Sequence, residues 1–250
     1  MKASAIEFRL RMLIMVAVII IGARSPWIDA WGSSVSFGRR IPLLEWLALE
    51  LSRLGLVSFT HATPLVIVVA ALIAAVGAIL RLWGTAYLGA ATVHSMDIKA
   101  GALTADGPYR YVRNPLYLGS ACMVAAIAFI LPATGAVFVV VVLTLFKLRL
   151  ILAEEAFLAL RLGEPYQAYM RAVPRLIPRL CTSLPAAGNS PHWAQAVLAE
   201  LFPLGLFFTL AVLSWKYDMQ LMTKALMVSF GVSLVARALI PTSSPDSSVA

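Results

Sequence analysis

Several apolar runs approach the ~20 residues that a helix needs to cross a bilayer, and they constrain this chain more than any other feature. The clearest run from Leu65 to about Trp83, over 115–131 and 136–153, and over about 195–215 and 220–240. Composition agrees: 61% of the 250 residues are hydrophobic, 13% are charged, and mean hydropathy is +0.88. Soluble domains carry about twice that charge. The expected fold class is all-α, a polytopic transmembrane helical bundle of five to six spans. A net charge of +8 could point to nucleic acid, but the basic residues lie in loops between apolar runs. Membrane lipid headgroups and the positive-inside rule account for that pattern, so no nucleic-acid partner is expected. Cys122 and Cys181 form neither a metal cluster nor a disulfide framework, and no metal is expected.

In chain order, Lys2, Arg9 and Arg11 precede an apolar run from Met12 to Ile21, read as the first span. Residues 42–59 carry Glu45, Glu50 and Arg53 within one arc of roughly 140°, the pattern of an amphipathic helix at the interface or along the bundle. A break at His61–Pro64 precedes the second clear span. Residues 84–114 form a polar connection with His94, Asp97, Lys99, Asp106, Arg110 and Arg113. The runs 115–131 and 136–153, joined by a tight turn at 131–135, predict an antiparallel hairpin. Residues 84–114 and 154–180 then emerge on one side. Lys147, Arg149, Arg161, Arg171, Arg175 and Arg179 make that side the basic one, hence cytoplasmic. The chain divides into an N-terminal part (1–64), a core (65–180) and a C-terminal helical hairpin with a Ser/Pro tail (181–250).

The stretch Gly107–Gly119 concentrates the polar chemistry. Asn114-Pro115 predicts a helix that starts at Pro115 with Asn114 as its N-cap, and with Arg110 and Arg113 outside its mouth. Free N–H groups and the partial positive charge of a helix N-terminus suit a carboxylate or phosphate. A second cluster, Glu154-Glu155, sits where the fourth apolar run reaches the same face. Lys147, Glu154 and Arg161 line one helical stripe, with Glu155 about 100° away. Such residues can form an interfacial salt-bridge ladder, or one carboxylate can face a cavity above Asn114. Past a break at Gly163–Pro165 come Tyr166 and Tyr169 on one helix face, either interfacial anchors or part of a site.

Together the two clusters resemble the isoprenylcysteine carboxyl methyltransferase and phospholipid methyltransferase superfamily of integral membrane enzymes. Its signature is Leu-x-x-x-Gly-Pro-Tyr-x-x-x-Arg-His-Pro-x-Tyr-x-Gly, then Glu-Glu, Tyr-x-x-Tyr and Val-Pro-x-x-x-Pro. Leu103, Gly107, Pro108, Tyr109, Arg113, Pro115, Tyr117 and Gly119 fill the first part. Glu154, Glu155, Tyr166, Tyr169, Val173, Pro174 and Pro178 fill the rest. The resemblance implies S-adenosylmethionine as methyl donor, bound in a pocket at the cytoplasmic face, and a lipid-like or isoprenoid acceptor arriving from the bilayer. It assigns cofactor contacts to Leu103, Gly107, Tyr109, Arg113, Asn114, Pro115, Tyr117, Gly119, Glu154 and Glu155, and acceptor contacts to Tyr166 and Tyr169. Arg113, Asn114 and Glu155 are the catalytic candidates.

The family histidine is Asn114 here, which hydrogen-bonds but neither charges nor acts as a base. A carboxylate acceptor needs no base and an arginine could hold it; an amine must arrive already deprotonated. The alternatives are an NADPH-dependent sterol or steroid reductase of the same superfamily, and a non-catalytic membrane scaffold.

Overall fold

The computed structural model describes residues 3–25, 41–93, 105–179, 181, 184–186, 188–216 and 218–239. All regular elements among them are helical: α1 (Ala5–Arg9), α2 (Arg11–Ala23), α3 (Leu43–Arg53), α4 (Phe59–Leu88), α5 (Ala90–Val93), α6 (Pro115–Ala128), α7 (Ala133–Leu162), α8 (Glu164–Ala172), α9 (Trp193–Ala199), α10 (Leu201–Val212) and α11 (Met219–Leu239). Short 3₁₀ turns lie at Gly107–Arg110 and Leu213–Lys216.

Helices α4 and α7 have 30 residues each, about 45 Å of helix, and are apolar enough to cross a membrane. A third candidate span is the bent pair Trp193–Ala199 and Leu201–Lys216, whose parts meet at 68°. Two or three helices thus meet the length criterion, against the five to six expected. Helices α2 and α6 are apolar but shorter, with 13 and 14 residues. At 11 residues, or about 16 Å, α3 is well short of a bilayer's thickness, and it packs along α4.

The hairpin of α6 and α7 turns at Pro132 as expected, and α3 docks on that turn. Leu43 N–H donates to the Leu131 carbonyl at 2.8 Å and Leu44 N–H to the Phe129 carbonyl at 3.0 Å. Helix α2 runs antiparallel to α7 at close range. A Cβ built on Gly135 would collide with the Gly22 carbonyl, so the two backbones touch. At the other end Arg149 pairs with Glu7 at 2.8 Å, which places the N-terminal segment on the Glu154-Glu155 side of the bundle. Gly77 and Gly119 let α4 and α6 cross in the same way: a Cβ on Gly119 would lie 2.9 Å from the Gly77 carbonyl oxygen. The core between these helices holds Ile67, Ala70, Ala74, Val139 and Leu143, each buried.

Three boundaries differ from the sequence reading. Helix α4 starts at Phe59, with Pro64 inside it. Proline removes one early hydrogen bond there, and the apolar face packed on α3 and α10 carries the helix through. Helix α7 runs on past residue 153 to Leu162, because only Gly163, at φ 60°, reverses the chain. The run 195–215 is broken at Glu200, since Pro203 would collide with the Ala199 carbonyl in a continuous helix.

The touching backbones of α2 and α7 give a direct test. Gly135→Val should destabilise the protein by roughly 1–3 kcal/mol or more through overpacking. Gly231→Ala, where a Cβ meets nothing within 4 Å, should leave thermal stability in detergent unchanged or slightly higher.

Candidate active site

The site is assembled on the end of α6 that faces the C-terminal third of α7. Its loop begins at Gly107, whose φ of 54° and lack of a Cβ let the backbone pass flat against the Tyr87 ring. Pro108 and Tyr109 follow, both buried. The loop is then tied to the segment after α8. Arg113 N–H donates to the Pro174 carbonyl at 2.9 Å, and Arg179 N–H to the Tyr111 carbonyl at 3.0 Å. The Tyr169 hydroxyl donates to the Tyr109 carbonyl at 2.7 Å. Tyr166 packs beside Tyr169 with ring centroids 5.9 Å apart, against Leu158, Ala159 and Leu162. Both tyrosines expected to meet an acceptor are therefore buried in the joint between α8 and the loop.

Glu155 is the hub of this joint and is 5% exposed. Arg175 donates to its Oε2 through Nε at 2.9 Å and approaches it through Nη2 at 2.7 Å. Arg113 Nε lies 3.3 Å from Oε1, and Asn114 Nδ2 donates to Oε1 at 3.0 Å and to the Arg175 carbonyl at 3.2 Å. Helix α6 does start at Pro115 with Asn114 in the N-cap position, but the Asn114 side chain makes no capping bond. Its Nδ2 group is turned to the Glu155 carboxylate and the Arg175 carbonyl, an orientation fixed by the charge-assisted bond to Glu155. The two arginines at the helix mouth are engaged as well. Arg113 Nη1 donates to the Met170 carbonyl at 3.0 Å and Arg110 Nε to the Leu184 carbonyl at 3.0 Å.

Glu154 has a different environment. It accepts one hydrogen bond, from the Tyr117 hydroxyl at 2.9 Å. Tyr117 in turn packs against Phe8, Phe146 and Leu150, so the N-terminal segment covers this side. The Tyr109 hydroxyl is buried and finds no hydrogen-bond partner among the described residues. Burial first, and then the nearby Glu154 carboxylate, hold its pKa well above the usual phenol value. Burial likewise pushes Tyr166 up to about 12 and raises Tyr169, so all three phenols stay protonated donors at neutral pH. An orphaned donor in a protein interior marks a place where a further polar group fits.

Other expected residues are placed elsewhere. Gly119 lies at the α4–α6 crossing against Gly77 and Arg81, and Gly107 against Tyr87. Leu103, with His94, Asp97 and Lys99, lies outside the described residues. A polar cluster missed in the sequence surrounds Arg81. Its Nε and Nη2 donate to Glu200 at 2.6 and 2.8 Å, and its Nη1 to Ser120 Oγ at 2.6 Å. Thr85 adds a bond to Glu200 at 2.6 Å, and Lys147 donates to the Ser120 carbonyl at 2.6 Å. A lone arginine inside an apolar span and a lone acid just ahead of Pro203 were the available signals. Among the described residues no group of three or more His, Cys, Asp or Glu could hold a metal ion.

Fold and site define a helical integral membrane protein with a carboxylate- and tyrosine-lined site at one end of its bundle. The phospholipid methyltransferase family model matches residues 65–164, the segment that carries the Gly107–Gly119 stretch and Glu154-Glu155. No curated protein and no solved structure matches the chain.

The two adjacent carboxylates should behave oppositely. Glu155→Gln leaves Arg113 and Arg175 without their counter-charge and should cost about 3 kcal/mol, read as a fall in thermal midpoint. Glu154→Gln keeps a partner for Tyr117 and should shift the midpoint by less than about 1 kcal/mol equivalent.

Proposed function

We propose that this chain is an S-adenosylmethionine-dependent methyltransferase acting on a lipid-like acceptor at the cytoplasmic face. The observation that carries the reading is the pairing of Glu154 with Tyr117 beside the unpartnered Tyr109 hydroxyl, within the family's matched segment. The donor set suits that cofactor. Glu154 can take its ammonium or a ribose hydroxyl, and the Tyr109 hydroxyl can donate to a neutral or anionic oxygen. The Tyr117 ring offers a face to a cation. Free first-turn N–H groups of α6 suit its carboxylate. Bound there, S-adenosylmethionine supplies a methyl group already activated on a sulfonium.

The protein's own contribution is positioning and exclusion of water. Glu155, with Arg113, Asn114 and Arg175, holds the loop and the α6 N-terminus against α7. Phe8, Phe146 and Leu150 wall the Tyr117 side with apolar surface. With their pKa values raised, Tyr109, Tyr166 and Tyr169 serve as donors and not as bases.

The state of the cations bears on the acceptor. Arg81, Arg110, Arg113, Arg175 and Arg179 each commit at least one guanidinium N–H to Glu200, Ser120, Glu155 or a backbone carbonyl. An acceptor carboxylate held by one of these arginines would compete with such a contact. An amine-bearing lipid headgroup competes with none, and Glu154 retains acceptor capacity for it. The basic residues at this end of the bundle support its cytoplasmic placement. Helices α2, α6 and α11 complete the bundle as shorter spans beside α4, α7 and the bent α9–α10 pair.

The test is to incubate detergent-purified protein with radiolabelled S-adenosylmethionine and a membrane lipid extract, then to resolve the labelled lipids. Label in an amine-headgroup lipid, reduced at least tenfold by Glu154→Gln, is the expected result. Absence of labelled lipid together with thermal stabilisation by NADPH would overturn the reading in favour of a reductase.

A further inference from the structure

The segment after residue 180 lies beyond the family's matched region, yet it returns four times to the elements that build the site. The Leu184 carbonyl accepts from Arg110 Nε at 3.0 Å. Asn189 N–H donates to the Asp106 carboxylate at 2.9 Å, one residue before the loop turns at Gly107. His192 N–H donates to the Ala86 carbonyl at 2.8 Å, beside the Tyr87 ring on which Gly107 rests. Glu200, 0% exposed at the 68° break between α9 and α10, takes both free arms of Arg81 and the Thr85 hydroxyl.

The last of these contacts reaches the cofactor-side residues through a short series of bonds. Arg81 also donates to Ser120 on α6, and Lys147 on α7 donates to the Ser120 carbonyl. Ser120 and Tyr117 are three residues apart and share a face of α6, while Lys147 and Glu154 are two turns apart on one stripe of α7. Lys147–Ser120 and Glu154–Tyr117 are therefore neighbouring rungs of the same antiparallel interface. Glu200 fixes Arg81, Arg81 fixes Ser120, and the Ser120 rung sets the register in which Tyr117 meets Glu154. An arginine at this depth without its carboxylate would have to turn away or draw in water.

From this we infer that residues 184–200 form a positioning strap for the methyl-transfer site, with Glu200 as its anchoring residue. The strap holds the 105–110 loop from outside while Glu200 holds the α6 register from within. The inference rests on the proposed function only for what the site binds.

A single change at Glu200 strands a buried charge and can simply unfold the protein. The informative variant is Arg81→Met with Glu200→Leu, which removes both charges at similar volume and is often neutral for stability. Hydrogen exchange of full-length protein in detergent would be followed alongside equilibrium binding of S-adenosylmethionine. At a thermal midpoint near that of the wild type, exchange over residues 105–118 should accelerate at least tenfold, and affinity should fall at least tenfold. Restoring Glu200 as Asp beside the native Arg81 should recover most of both. Exchange changes confined to 193–204, with loop protection as in the wild type, would overturn the strap. Failure of the wild type to bind S-adenosylmethionine would overturn the proposed function instead, and the exchange result would still decide on the strap.

Discussion

The Glu155 carboxylate is the interaction on which the rest of the site depends. It lies on a helix long enough to span a bilayer, withdrawn from water, and a bare carboxylate there would be prohibitively costly. Two guanidinium groups and one amide satisfy it. Those three donors come from two stretches far apart in the chain, Arg113-Asn114 before α6 and Arg175 after α8. Satisfying one charge therefore closes the loop, the α6 N-terminus and the post-α8 segment into one unit. The tyrosine joint of Tyr166 and Tyr169 then seals its underside with apolar surface and a hydrogen bond to the Tyr109 carbonyl.

Neighbouring Glu154 shows what this arrangement leaves over. A helix turns about 100° per residue, so adjacent carboxylates must face different surroundings. One is consumed in holding the architecture. The other meets a single tyrosine and lies near an unsatisfied phenol, so it keeps the capacity to bind something else. The division also gives Asn114 a physical role where the family has histidine. Its amide bridges Glu155 and the Arg175 carbonyl at once, a task for a neutral double donor that does not depend on pH.

Much of the fold was legible because bilayer length and proline or glycine punctuation act locally. Pro115 and Pro132 mark boundaries as read from the sequence. Pro64 misled because tertiary packing carried α4 through it, and Pro203 was overlooked although it breaks a helix one turn upstream. The number of spans was less legible, because apolar runs that look alike in sequence fold into helices of 13 to 30 residues. The site was legible as two clusters that the hairpin must bring together. Which donors each group would choose was not. Asn114 serving Glu155 in place of its own helix, and Arg110 serving Leu184, depend on chain segments that meet only in three dimensions. Arg81 and Glu200 lie 119 residues apart, and each alone is just a charge in an apolar run.

The central claim is that the two carboxylates divide the work, Glu154 facing the methyl donor and Glu155 holding the loop. The most direct measurement is a structure of the protein with S-adenosylhomocysteine bound. The account predicts the ligand's polar groups within hydrogen-bond reach of Glu154 and the Tyr109 hydroxyl, with the Arg113, Asn114 and Arg175 contacts to Glu155 intact. A ligand held by Glu155 or Arg113, with Glu154 turned away from it, would contradict the account.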